Sequence, residues 1–124
     1  MIQRLFFTVG WLALAFIAFV TLSPIQNRPA LAGLQLEHFA AFAFMGFAFA
    51  SGARRHAIAI AVMTITAAVV LESLQLLTPD RHARVLDASV KAIGGVCGVG
   101  LSRLAASWLD RIEVRLALLA KPPG

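Results

Sequence analysis

AIAIAVMTITAAVVLESLQLL, residues 57–77, decides the fold. As far as Leu71 it holds nothing more polar than two threonines. An uncharged run of about 20 residues, rising 1.5 Å each, is what a helix needs to cross the hydrocarbon core of a bilayer. Yet Glu72 and Gln75 stand in its last turns, Thr78-Pro79-Asp80 closes it with a turn signal, and Arg81, His82, Arg84 and Asp87 follow at once. A membrane-length helix with polar groups gathered at one end raises the questions of fold and function together.

The rest of the chain supports a bilayer setting. Of its 124 residues 60% are hydrophobic and 14% charged, well above the roughly 45–50% apolar content of soluble domains. A net charge of +5 would suit a nucleic-acid partner. The basic residues, however, fall singly or in pairs with no soluble domain to carry them, so we read them as topology signals and expect no nucleic acid. Cys97 is the sole cysteine, which excludes an internal disulfide and a cysteine-rich metal site; its apolar setting suggests a small packing residue.

Working outward, four spans are expected within one domain. Residues 5–22 carry no charge and end at Ser23-Pro24. Arg4, this run and Ala30-Leu31-Ala32 imitate a secretory signal. The run is long enough to span, though, and the small-residue site lies well beyond it, so a retained span is the reading. Residues 34–50 form the second span. Their core FAFMGFAFA alternates like a strand, but an isolated strand leaves its backbone unsatisfied in lipid, so helix is expected. Residues 57–77 are the third. Residues 88–108 are the fourth, with Lys91 and Arg103 near its ends, where long side chains can snorkel. Residues 109–121, with Trp108 just before them, place Trp108, Leu109, Ile112, Leu116 and Leu119 at helical spacing, with Asp110, Arg111, Glu113 and Arg115 largely elsewhere. This suggests an amphipathic helix lying in the interface, an extension of the fourth span being the alternative. The expected fold is therefore all-α, a polytopic four-transmembrane-helix bundle with a C-terminal interfacial helix.

Orientation follows from lysine and arginine. Arg4, Arg54, Arg55, Arg103, Arg111, Arg115 and Lys121 fall on one side, and Arg28, Arg81, Arg84 and Lys91 on the other. This imbalance puts both termini in the cytoplasm.

With that orientation three helix ends meet at the outer face. Glu37 and His38 open the second span, Glu72 and Gln75 share a face at the end of the third, and Arg81 to Asp87 lead into the fourth. Glu72 sits roughly 8 Å below the outer boundary by helix rise. An ionised group costs on the order of 2.5–3.5 kcal/mol at mid-bilayer, so Glu72 should face other helices and be paired or protonated, with Arg81, Arg84 and His38 as available partners. Such a cluster either pins helix ends together or binds an anionic or sugar-bearing headgroup, arginine supplying paired planar donors. Gly94 and Gly98 form a GxxxG that permits close helix approach, within the chain or across a dimer seam. Phe39, Phe42, Phe44, Phe47 and Phe49 read as packing or lipid contact. No nucleophile elbow, metal-ligand spacing or phosphate-binding loop is present, so no cofactor or metal is expected and an enzymatic role is left open.

EHFAAFAFMGFAFA, ESLQLLTPDRHARVLD and GGVCG together resemble the VanZ-like family of small bacterial membrane proteins, over roughly residues 34–98. On that resemblance His38 matches the family's histidine, Glu72 and Gln75 its Glu-x-x-Gln, Arg81 its arginine, Asp87 its aspartate, and Gly94 and Gly98 its spaced glycines. The chain departs from the family at Leu34 and Gln35, where Asp-Lys is usual, and at Lys91, where asparagine is usual. The resemblance implies a membrane-embedded helical fold and an envelope role linked to glycopeptide susceptibility, without a defined reaction. The expected partners are membrane lipids and a lipid-linked envelope precursor or glycopeptide. The alternative is an accessory subunit that forms a homo-oligomer or joins a larger membrane complex.

Overall fold

A computed structural model of the chain describes residues 1–23, 33–77 and 85–120. Four helices account for nearly all of them: α1 (Ile2–Leu22), α2 (Leu34–Gly52), α3 (Ala57–Gln75) and α4 (Val85–Leu119), with a tight 3-10 turn over Arg54–His56 joining α2 to α3. There is no strand among the described residues. The alternating FAFMGFAFA segment is helical, as expected where the backbone has no other source of hydrogen bonds.

The contacts fix the helix directions. Phe49 of α2 meets Phe7 and Trp11 of α1 edge to face, each ring pair 5.5 Å apart, while Gly52 lies against the backbone of Gln3 and Phe7. Rising numbers thus meet falling ones, and α1 and α2 are antiparallel. Helices α3 and α4 are also antiparallel, since Thr64 meets Gly95 and Glu72 meets Lys91. Helices α2 and α4 run parallel, with Phe39 against Gly94, Ala43 against Gly98 and the Ser51 and Ser102 hydroxyls 2.9 Å apart.

The α2–α4 seam is the closest in the bundle. A Cβ added to Gly94 would lie 2.5 Å from the Phe39 carbonyl oxygen, and one added to Gly98 would overlap the carbonyl oxygen of Ala43. Small residues let two backbones approach where no larger side chain fits. The GxxxG therefore serves a seam within the chain. Around it Phe42, Met45, Phe49, Ile60, Ala68, Leu71 and Val99 make the core.

The outside of the bundle is apolar as well: Leu5, Phe16, Phe19, Ile58, Val62, Val69 and Leu101 are all exposed. A surface of this kind is far larger than the isolated apolar patches of water-soluble monomers. Three stretches, Ile2–Leu22, Arg54–Gln75 and Val85–Leu119, are long and apolar enough to cross a membrane. Helix α2 is not among them. Gln35, Glu37 and His38 dilute its first turns, although its later part is the most deeply buried segment of the bundle.

Two expectations change here. No break separates a fourth span from a tail at Trp108, because α4 continues unbroken for 35 residues. Neither glycine nor proline occurs between Gly100 and Pro122 to stop it. Cys97, expected to be packed, is exposed on the outer side of α4.

Candidate functional site

The polar residues of α3 and α4 occupy the faces the two helices turn toward each other. On α3, Thr64, Ala68, Leu71, Glu72 and Gln75 are buried, recurring every three or four residues; on α4 the buried positions are Asp87, Lys91, Gly94, Gly95, Gly98, Val99 and Ser102. One face of each helix thus grades from apolar or small residues to polar ones toward the same end of the bundle.

At the centre of this end Lys91 Nζ donates a hydrogen bond to Glu72 Oε2 at 2.6 Å. Lys91 is 0% exposed and Glu72 5%. Charges this far from water persist only when paired, and the short distance is typical of a charge-assisted bond. One turn farther out on each helix lie Gln75 and Asp87, both buried. The antiparallel packing makes them the outer rung of a seam whose inner rung is the ion pair. Beneath both, Ala68, Leu71 and Val99 form an apolar floor.

His38 stands at the same end on α2, half-buried, with its Nδ1 atom enclosed. Its neighbour Phe39 abuts Gly94, which places His38 near the level of the ion pair. Glu37, also half-buried, sits in the first turn of α2, where the helix dipole favours a carboxylate. Arg81, expected in the cluster, lies outside the described residues, as do His82 and Arg84. Of the expected site residues, Glu72, Gln75 and Asp87 are therefore gathered along one seam and His38 stands at the same end. Gly94 and Gly98 lie one and two turns deeper, against α2.

Lys91 is the residue the sequence misassigned. It does not snorkel to a boundary but points into the bundle, where its charge is matched by Glu72. The signal was present: Lys91 precedes Gly94, Gly95 and Gly98 by three, four and seven residues, so it shares their packed face, and Asp87 lies four residues before it.

Chemically the seam offers a carboxylate, an amide and a paired ammonium–carboxylate couple, an arrangement suited to hydrogen bonding with a polar, hydroxyl-rich or charged group. No cluster of histidine, cysteine and acids able to hold a metal occurs among the described residues. No family model matches the chain, and neither does any curated protein or solved structure.

Proposed function

We propose that the chain is a VanZ-like integral membrane protein of the bacterial plasma membrane, crossing four times with both termini cytoplasmic. Its outward polar seam binds the headgroup of a lipid-linked envelope precursor or a glycopeptide-type ligand and so alters glycopeptide susceptibility. The observation that carries this reading is the buried Lys91–Glu72 pair with Gln75 and Asp87 one turn outward. Ionisable groups at membrane depth are costly where leucines would pack equally well, so their presence points to function.

The topology has its own support. Helix α2 runs parallel to α4 and antiparallel to α1, and at 19 residues it is about 28 Å long, close to the bilayer core. Its polar opening residues are tolerated because neighbouring helices, rather than lipid, cover much of it. With Lys91 neutralised inside, the outer side keeps only Arg28, Arg81 and Arg84, which sharpens the bias toward cytoplasmic termini. Helix α4, about 52 Å long at 35 residues, exceeds the bilayer core by roughly 20 Å. Its last turns, with Trp108, Arg111 and Arg115, lie at or beyond the cytoplasmic interface.

The test is binding. Membranes containing the full chain are solubilised, the protein is purified, and retained lipid-linked precursors are identified by mass spectrometry for wild type and for the Gln75→Leu/Asp87→Asn double variant. Retention by wild type and loss in the variant are expected; equal retention in both refutes the site.

A second reading, an accessory subunit of a larger membrane complex, is favoured by one observation. From Arg103 onward every described residue of α4 except Ala106 is exposed. That reading expects a defined partner to co-purify with the full chain and to be lost when α4 is cut after Ser102.

A further inference from the structure

The end of the bundle opposite the polar seam carries a second charged feature. Arg54, Arg55 and His56 form the tight turn before α3, and Arg103 approaches from α4. With Ala57, Ile58 and Ala59 they line a single open groove of about 570 Å³. The three arginines are exposed, and among the described residues none of them is in an ion pair. The acids that follow Arg103 on α4, Asp110 and Glu113, do not line the groove. The first turn of α3 has no acidic residue, so the positive end of its dipole is not offset by a carboxylate there.

This arrangement goes beyond what topology signalling requires. Arginines that only orient a protein need to lie near the membrane surface, as Arg4, Arg111 and Arg115 do, whereas Arg54, Arg55 and Arg103 converge from segments about fifty residues apart in sequence. Guanidinium groups bind phosphate oxygens through paired donors. The groove is also lined by Ala57, Ile58 and Ala59, of which Ile58 is exposed and open to an acyl chain.

We propose that this groove is a binding site for the phosphate of an anionic phospholipid headgroup in the cytoplasmic leaflet, with the acyl chains running down α3 past Ile58. It rests on the chain lying in a bilayer with this end inward, and not on any ligand of the outer seam. Basic pockets between helices at the cytoplasmic surface are suited to such headgroups, and the surrounding leaflet supplies them.

The experiment uses the full chain in detergent, offered equal phosphatidylglycerol and phosphatidylcholine and examined by native mass spectrometry. Wild type is expected to retain phosphatidylglycerol preferentially. Arg103→Gln and, separately, Arg54→Gln/Arg55→Gln are each expected to weaken that retention by roughly five-fold per arginine removed. Arg111→Gln/Arg115→Gln should leave it unchanged, and helix content by circular dichroism should be the same throughout. No lipid preference in wild type, an equal loss in the Arg111→Gln/Arg115→Gln control, or displacement by millimolar inorganic phosphate would each overturn the proposal, the last by assigning the groove to free phosphate. Failure of the topology would appear separately, as labelling of His56→Cys from outside intact cells.

Discussion

Lys91 Nζ lies 2.6 Å from Glu72 Oε2, joining α4 to α3 where neither side chain meets solvent. Each charge offsets the burial of the other. Lys91→Met or Glu72→Gln alone is expected to destabilise the fold by about 3–5 kcal/mol, because the remaining group is left buried without its counter-charge. The double variant Glu72→Leu/Lys91→Met should recover most of the loss. Thermal unfolding of all three in detergent measures this, and strictly additive losses would show that the pair is not coupled.

The α2–α4 seam gives a second prediction with an internal control. Gly98→Ala forces a Cβ into the Ala43 carbonyl, so the backbones must separate, at a cost of about 1–3 kcal/mol. Nothing lies within 4 Å of a Cβ on Gly100, two residues away. Gly100→Ala should therefore be neutral or stabilise by up to about 1 kcal/mol through helix propensity. Equal melting temperatures for the two variants would show that the close approach does not persist in solution.

The orientation is tested by impermeant maleimide labelling of intact cells in a Cys97→Ala background, which leaves each introduced cysteine as the sole thiol. Cysteines at Gln26 and His82 are expected to react and one at His56 to be protected. His56 is a better reporter than Gly52, where any side chain would strike the backbone of Phe7. The reverse pattern inverts the topology.

What could be read in the sequence followed from runs and breakers. The apolar stretches and the Ser-Pro and Thr-Pro signals located α1 and α3 to within a few residues, and the need for internal backbone pairing settled α2 as helix against its alternating pattern. At the C-terminal end the sequence left two readings open, a separate interfacial helix or an extension of the fourth. The unbroken α4 is the extension, since no glycine or proline interrupts it beyond Gly100 and charge alone does not stop a helix. Lys91 was misjudged. Nearness to a span end suggests snorkelling, but the direction of a side chain is set by its helix face, and that face is marked by Gly94, Gly95 and Gly98. Glu72, Gln75 and Asp87 stood out because buried polar groups are rare in so apolar a chain; the partner of Glu72 depended on how α3 and α4 pack, which no local pattern records.

The final prediction separates a binding site from a structural clasp. Because Glu72 and Lys91 are paired in the interior, replacing either confounds stability with function under both readings. Gln75 and Asp87 are the better probes, lying one turn outward on the same faces. If the seam binds a headgroup or a glycopeptide, Asp87→Asn keeps the shape, removes the charge and should abolish any glycopeptide-susceptibility change that the chain confers, with a melting temperature close to that of wild type. A clasp predicts the opposite, a lower melting temperature and a susceptibility effect that falls only in proportion to the folded protein. Susceptibility and thermal unfolding measured together for Asp87→Asn, Gln75→Leu and Glu72→Gln distinguish the two, and wild-type behaviour of Asp87→Asn in both assays removes Asp87 from the site.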